Sequence, residues 1–400
     1  MLSMRIALLT TLLLCRQLPA FSQVVYQGKI TDLETHKPLE GASVFLSNTS
    51  YGTLTDVNGN FLLKVPVAGT YDMVVAMVGY ETYVRNISST DTNLLLQIEV
   101  TPEVKELEAV VLQTYEKNGW EKWGGLFFRN FIGTSDFSVD CSIVNYKDIR
   151  FLNNKEDHEL VVTCRKPLLI ENRALGYTIR YQLAQFKYNF QSHYLLYTGF
   201  PLFEEMKGSE RKQKIWESRR EEAFQGSVMH FMRALYRNKL QENHFLVYRL
   251  LVRPNLEKKR VRSIYRTVKD ISVYPPDSVS YFEKISMQAD NMNALNPHAI
   301  TGDSIAYAID SVTAGLDFPN HLWVVYTEKK EPSAYCGIGN NKPPAPVSSG
   351  IHIVNEGEIL KVMSNGAYFD PTNLIMSDFW AWSEKMACML PLDYKSKTMP

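Results

Sequence analysis

QGKITDLETHKPLEGASVFLSNTSYGTLTDVNGNFLLKVPVAGTYDMVVAMVGYETYVRNI, running from Gln27 to Ile87, is the stretch whose reading decides how the chain begins to fold. Just before and into it, Val25, Gln27, Lys29 and Thr31 alternate with Val24, Tyr26, Gly28 and Ile30. Further on, Phe61, Leu63 and Val65 point one way while Leu62 and Lys64 point the other. A period of two in β-branched and aromatic residues marks half-buried strands. Turn signals separate the runs: Lys37-Pro38, Glu40-Gly41, Asn58-Gly59, Pro66 with Gly69, and Gly79. Asn-Gly tolerates positive φ, so Thr53–Thr55 is expected to pair with Phe61–Val65 across Asp56–Asn60. About seven short strands at this spacing make a β-sandwich.

The same residues carry a resemblance. Gly28-Lys-Ile-Thr-Asp32, Pro38-Leu-Glu-Gly-Ala42-Ser-Val44, Gly52-Thr-Leu-Thr-Asp56, Asn58-Gly-Asn-Phe61 and Val78-Gly-Tyr80 resemble the carboxypeptidase-regulatory-like domain, a transthyretin-like sandwich. The resemblance implies a module that is not itself catalytic and that is appended to many proteins, among them carboxypeptidases and TonB-dependent outer-membrane transporters. Leu107-Glu-Ala-Val-Val-Leu112 resembles the segment that joins this module to the plug of such a transporter. A plug and a barrel of about 22 strands, each of roughly ten residues, do not fit in the fewer than 300 residues that follow. A smaller barrel is disfavoured by the helical pattern of Arg211–Asn243 and by an end, Thr398-Met-Pro400, without the aromatic residue usual there.

At the start, Met1–Arg5 is basic, Ile6–Cys15 is apolar apart from threonines, and Ala20-Phe21-Ser22 offers small residues at −3 and −1. Residues 1–22 are expected to be a secretory signal peptide, too short in its apolar part to span a bilayer. Lipidation at Cys15 is disfavoured by Leu14 before it. The expected locale is the periplasm, or the outer membrane or cell surface, with no transmembrane span after cleavage. Loss of Arg5 and Arg16 would leave 41 basic residues against 43 acidic ones, which suggests no nucleic-acid partner. The basic clusters Arg211–Arg220 and Lys258–Arg262 are interrupted or flanked by acids and read as solvated faces. Cys141, Cys164, Cys336 and Cys388 permit disulfides in an oxidising compartment, Cys141 with Cys164 included, and equally permit buried thiols.

The expected organisation is a signal peptide at 1–22, the sandwich at 23–100 with Asn93–Val100 as its last strand, a linker at 101–114, and an α+β domain at 115–400. In this last domain Phe137–Tyr146, Glu159–Cys164, Tyr177–Leu183 and Phe186–Tyr194 read as strands, with Tyr177, Ile179, Tyr181 and Leu183 on one face. Glu210–Ala223 is charge-rich and helical, and Ser227 can cap a helix over Val228–Leu240. Strands are expected again at Phe245–Val252, Ser263–Tyr274 and Leu322–Glu328. Breaks are expected at Pro275-Pro276 and Cys336–Gly350. Ile351–Val354 and Ile359–Val362 suggest a hairpin over Glu356-Gly357, and Met376–Leu390 a closing helix. Phrases such as Cys141-Ser-Ile-Val-Asn145, Pro167–Asn172, Leu175-Gly-Tyr177, Gly226–Leu235 and Leu390–Tyr394 resemble an uncharacterised region found behind this module in exported bacterial proteins, which implies no activity.

Chemistry is sparse. No His has Glu three residues on, and His158-Glu159 lacks a second His, so zinc-peptidase ligation is not expected. Gly226-Ser227 lacks a Gly-x-Ser-x-Gly elbow and reads as a cap. Asp56-Val-Asn58-Gly59-Asn60 starts like a calcium loop but lacks the later acids, and Glu204-Glu205 and Glu221-Glu222 alternate onto different faces. His230 and Arg233, three apart on one helix face, could contact a carboxylate or a sugar hydroxyl; the plainer reading is that they satisfy nearby carbonyls or an acid. The aromatics Trp120, Trp123, Phe127 and Phe128 around Gly124-Gly125, with Trp380 and Trp382, would suit carbohydrate or partner docking if exposed and a core if buried.

The sequence therefore leads to a non-catalytic envelope binding or accessory protein, without cofactor or metal, whose partner is an envelope protein complex or glycan. Two alternatives stand beside it: an envelope hydrolase with an unrecognised site in the C-terminal domain, and a periplasmic partner of a TonB-dependent transporter.

Overall fold

A computed structural model of the chain describes residues 24–65, 69–88, 95–103, 115–337 and 343–399. The signal peptide, Cys15, the segment Leu107–Leu112 and most of the 101–114 linker lie outside these residues.

The N-terminal region is a seven-stranded sandwich. Its strands are β1 (Val24–Asp32), β2 (Ser43–Leu46), β3 (Gly52–Leu54), β4 (Asn60–Val65), β5 (Thr70–Ala76), β6 (Tyr83–Ser88) and β7 (Leu95–Val100). One sheet has the order β4-β1-β7 and the other β3-β2-β5-β6. Alternation places Tyr26, Ile30, Phe61, Leu63, Leu96 and Ile98 inward from the first sheet, against Val44, Leu46, Tyr71, Met73 and Val75 from the second. The expected hairpin between Thr53–Thr55 and Phe61–Val65 does not form, because β3 pairs with β2 and β4 with β1. The Asn-Gly turn instead carries the chain from one sheet to the other. There Asp56 accepts the backbone N–H groups of Asn58 (2.9 Å) and Asn60 (2.8 Å), and Gly59 sits at φ +76° with the Ile30 carbonyl where a Cβ would be. The Asp56 carboxylate oxygens that a calcium loop would offer a metal instead accept N–H groups of the loop itself.

The C-terminal region is α+β around one continuous core. It opens with α1 (Gly119–Phe131), whose Phe127 and Phe131 stack at 5.0 Å and are fully buried. Next come β8 (Cys141–Ile143), β9 (Arg150–Asn154), β10 (Glu159–Thr163), β11 (Leu168–Asn172), β12 (Tyr177–Asn189) and β13 (Leu195–Glu205). They form one antiparallel sheet, β8-β11-β12-β10-β9 with β13 along the free side of β12. Only Cys141–Ile143 of the expected strand Phe137–Tyr146 is extended. The two strands expected within 177–194 are one, interrupted by a register shift between Leu183 and Gln185. Tyr177, Ile179, Tyr181 and Leu183 do share the buried face.

Two helices follow, α2 (Glu210–Phe224) and α3 (Val228–Tyr236). Ser227 caps α3 by accepting the His230 N–H, and Gly226, at φ +76°, makes the sharp turn between the helices. Arg220 departs from the solvated face expected of Arg211–Arg220. It is buried against the Tyr177 ring (4.0 Å), donates to the Leu175 carbonyl (2.8 Å) and pairs with Glu205 (2.7 Å). Beyond lie β14 (Phe245–Pro254), α4 (Leu256–Thr267), α5 (Pro276–Ser286) and β15 (Asn291–Ile300). Ser263–Tyr274 is thus helix and turn rather than strand: Asn255 caps α4, and Val261 with Ile264 packs on Phe282 and Ile285 of α5. Pro275-Pro276 starts a helix, with proline in its first turn. Glu257, the acid flanking the cluster, pairs with Arg260, while Asp290, just before β15, pairs with both Lys258 and Arg262.

The remaining elements are β16 (Ala306–Ala308), β17 (Thr313–Leu316), β18 (His321–Lys330), α6 (Ser333–Cys336), β19 (Pro346–Ile353), β20 (Leu360–Met363), β21 (Tyr368–Phe369), β22 (Leu374–Met376) and α7 (Asp378–Ser383). They complete two sheets, β15-β14-β18-β19-β22 and β16-β17-β20-β21. Ile351–Val354 and Ile359–Val362 therefore fall in different sheets and make no hairpin. The break expected over Cys336–Gly350 ends at Pro346, where β19 begins. The closing helix stops at Ser383, and the chain then runs through bends and turns, as a strap without helix or strand, to Met399. Among the described residues Cys141, Cys164, Cys336 and Cys388 are all free thiols. No helix among the described residues is long and apolar enough to cross a membrane.

The sandwich is fixed to this region. Phe45 and Val74 point outward from its second sheet, yet both are buried, under Leu202 and Phe200 of β13. The loop after β2 continues the contact: Asn48 N–H donates to the Pro201 carbonyl (2.8 Å), and Phe203 N–H to the Thr49 carbonyl (2.9 Å). Ser50 donates twice to Asp393 of the strap (2.9 and 2.5 Å), and Leu392 N–H donates to the Asn48 carbonyl (2.6 Å). Phe45→Ala or Leu202→Ala is expected to cost about 2–4 kcal/mol of stability. The double variant should cost less than the sum, because both side chains border one contact. Additive losses in urea denaturation would show that they do not share it.

Candidate functional site

The junction of α2 and α3 gathers most of the unusual polar groups. His230, one of the two residues singled out in the sequence, lies in a ring of Phe224 (4.7 Å), Phe245 (4.9 Å) and Tyr326 (5.5 Å). Its Nδ1 accepts the Gly226 N–H (3.2 Å), which leaves Nε2–H to donate to Asn243 Oδ1 (3.4 Å). Burial lowers its pKa to about 4, so the ring is neutral. Arg233 is 6% exposed and donates to three carbonyls: Asn365 (2.9 Å), Tyr394 (2.9 Å) and Leu392 (3.1 Å). Burial pulls its pKa down to about 10, which still leaves it charged at neutral pH. The helix brings the two side chains to neighbouring positions, but each is committed to protein partners.

Arg233 holds the strap in its middle, and Glu221 holds its end. The Glu221 carboxylate accepts the Tyr394 hydroxyl (2.9 Å), the Ser396 hydroxyl (2.7 Å), the Lys397 N–H (2.9 Å) and the Thr398 hydroxyl (2.7 Å). Burial raises its pKa, but these four donors outweigh it and hold the group at about 2. Arg233→Lys should destabilise the fold by about 2–5 kcal/mol, since one ammonium cannot reach three carbonyls set in a fork. Limited proteolysis should then cut within residues 390–399; an uncut strap of unchanged stability would refute this account.

A pocket opens beside the upstream end of the strap, enclosing about 550 Å³ of empty space with its open mouth included. Lys329, Glu384, Ser383 and Cys388 line its polar side, while Phe137, Phe379 and Trp382 line an aromatic side. Lys329 and Glu384, two of its charged groups, are held by helix ends rather than by each other. Lys329 Nζ donates to the carbonyls of Glu222 (2.9 Å) and Gln225 (3.2 Å) at the C-terminus of α2. Glu384 Oε1 accepts the N–H of Val228 (3.1 Å), the first residue of α3. Each placement suits the helix dipole. Among the described residues neither Lys329 nor Glu384 forms an ion pair within 4.0 Å.

Burial dominates the electrostatics of this pocket. It pushes the Glu384 carboxyl up to about 7, against smaller downward effects of the Val228 N–H, Lys329 and Lys385. It lowers Lys329, and it raises the Cys388 thiol to about 11, with the Ser135 hydroxyl 3.3 Å away. Ser383 is 8% exposed, and its Oγ has no hydrogen-bond partner. Trp382 is fixed by donating to Thr134 (2.9 Å) and by Phe379 (5.6 Å) and Tyr335 (5.4 Å). Sequence reading missed this site because its polar residues come from four distant segments. The one local signal was Ser383-Glu384-Lys385, a charged pair inside an otherwise apolar and aromatic run from Phe379 to Leu390. Among the described residues no group of three or more His, Cys, Asp or Glu is placed to hold a metal ion.

The raised carboxyl has a consequence for stability. Between pH of about 4.5 and about 7 the folded chain binds more protons at Glu384 than the unfolded chain does, so this group lowers stability as pH rises through that window. Glu384→Gln keeps an acceptor for Val228 and removes the charge. It should match the native chain near pH 4 and exceed its stability by about 2–3 kcal/mol at pH 8. Parallel curves of the two proteins in urea denaturation across this range would disprove the assignment.

Comparison with known proteins places the N-terminal region. No curated relative matches the chain. Of the solved structures that match, one is a chain of a type II cohesin–X-dockerin complex from Acetivibrio cellulolyticus, a C-terminal interface mutant. It is 26% identical over 20% of this chain and 52% of that one, at a TM-score of 0.16, so the match spans about half of that chain's length. Residues 26–112 match the model of the CarboxypepD_reg-like domain, and the N-terminal sandwich is a carboxypeptidase-regulatory-like domain.

Proposed function

We propose that the protein is an exported, non-catalytic binding or accessory protein of the cell envelope, whose C-terminal domain takes a small ligand in the pocket between α2, α3 and the strap. The observation that carries this reading is the pocket itself: among the described residues it is lined by a carboxylate without an ion pair, a serine whose buried hydroxyl lacks a hydrogen bond and three aromatic rings, with no activated nucleophile beside them. Cys388, held near 11, stays a thiol and is a poor nucleophile. Ser227 is occupied as the cap of α3, and the neutral His230 is bonded at both ring nitrogens. A hydrolase needs a nucleophile or bound water in reach of a base. The sandwich acts in this reading as the holder of the strap, through Asn48 and Ser50, and so of the pocket wall that the strap supplies.

The test is native mass spectrometry of the protein purified from its own envelope. A retained small molecule, recovered chemically unchanged and lost in Trp382→Ala, is the expected outcome. Steady release of a cleaved product from envelope peptides or glycans would make the protein a hydrolase instead.

A further inference from the structure

We infer that the pocket selects a ligand bearing an ammonium group on an apolar body, with Glu384 as its counter-ion; this rests on the pocket being a binding site. The charge around the pocket is lopsided. Asp136 and Glu222 stand exposed at its lining and Glu384 lies deeper, and among the described residues none of the three has an ion-pair partner. Lys329 is the one cation in the lining, and two of its three N–H donors are spent on the C-terminal carbonyls of α2 while its Nζ lies 5.9 Å from the Phe379 ring centre. An incoming ammonium therefore meets three carboxylates and a lysine whose bonding is largely satisfied.

The independent sign of a missing polar group is Ser383. Its hydroxyl is buried in the pocket wall without a partner, a state that costs stability unless something hydrogen-bonds to it. An ammonium has donors for both a hydroxyl oxygen and the Glu384 carboxylate, whereas a ligand carboxylate would oppose Glu384. Trp382, Phe379 and Phe137 then offer the face on which a carbon chain or ring packs and which attracts a cation electrostatically. The acids at the mouth favour approach of cations over anions.

The charged and titratable groups around Glu384 are Lys329 from β18, Lys385 and Cys388 from the strap, Tyr197 from β13, Tyr368 from β21 and Glu222 from α2. The tyrosines and the thiol stay neutral through the physiological range, all being raised by burial. Burial lowers both lysines, and both lie near enough to influence Glu384. Burial raises Glu384 to about 7, and protonating it removes the counter-ion, so affinity for an ammonium falls as pH drops through about 7.

Isothermal titration of the full mature chain with three probes of one shape tests this: 3-phenylpropylammonium, 3-phenylpropanol and 3-phenylpropanoate, at pH 8 and pH 5.5. The ammonium should bind at least about tenfold more tightly than the alcohol or the carboxylate at pH 8, and the advantage should shrink at pH 5.5. Glu384→Gln should abolish the preference and its pH dependence. Asp136→Asn, at an exposed position that the fold does not need, should weaken ammonium binding severalfold at low salt only. Equal binding of ammonium and alcohol, tighter binding of the carboxylate, or a preference that survives Glu384→Gln would overturn the ammonium assignment and leave the pocket a binding site. Failure of all three probes to bind would overturn both.

Discussion

Arg233 is a buried guanidinium without a carboxylate, and the architecture depends on how that charge is satisfied. Its three donor positions point at carbonyls that belong to residues 365, 392 and 394, so one side chain on α3 ties the turn after β20 to the C-terminal strap. Carbonyls bonded in this way are fixed in direction, and a strap with no helix or sheet ladder of its own needs that. The charge-assisted bonds are stronger than neutral ones, and leaving either side unpaired in a buried site would be costly. Glu221 completes the arrangement with the opposite charge and the opposite chemistry, an acceptor for the last hydroxyls and N–H of the chain.

Because the strap is fixed there, it can serve two neighbours at once. Its early part carries Glu384 and Cys388 into the pocket beside Trp382 of α7, and its middle presents Asp393 and the Leu392 N–H to the sandwich loop 48–50. The sandwich is therefore not a bead on a linker. Phe45 and Val74 make the same point from the other direction, for a half-solvated sheet would carry polar residues there. The central strands β2 and β5 of this sheet are buried on both faces, by the partner sheet and, at Phe45 and Val74, by β13.

These facts also explain what the sequence revealed and what it hid. Strict alternation along 60–65 and 177–183, and a capping serine before an apolar stripe at 227–235, are local signals, and the corresponding strands and helices are where they point. Pairing is not local. Thr53–Thr55 and Phe61–Val65 flank a good turn, yet each finds its partner elsewhere, because closing two sheets over one core buries more than one hairpin could. Ser263–Tyr274 contains Ile264, Tyr265, Ile271, Val273 and Tyr274, a strand-like set, but Ile264, Ile271 and Tyr274 pack with Phe282 and Ile285 of α5 while Tyr265 and Val273 stay exposed. In Ser43–Leu46, Val44, Phe45 and Leu46 are apolar on both faces, the mark of a strand covered twice. The pocket left no motif, since residues 135, 329 and 384 lie far apart in the sequence.

The pocket persists because the fold gives its opposite charges separate duties. Lys329 and Glu384 could in principle neutralise each other, which would close the space between them and leave an inert core. Each is instead engaged by a helix end, Lys329 by the last carbonyls of α2 and Glu384 by the first N–H of α3. Gly226 separates those ends: its φ of +76° turns the chain so sharply that a C-terminus and an N-terminus face the same cavity. The Gly226 N–H is tied to His230 and its carbonyl to the Trp380 indole at 2.8 Å, so the turn cannot relax. A Cβ at this position would stand 2.7 Å from the Tyr326 ring. His230, read in the sequence as a group that could touch a ligand, acts one layer behind the pocket, by holding apart the two helix ends whose charges the pocket exposes.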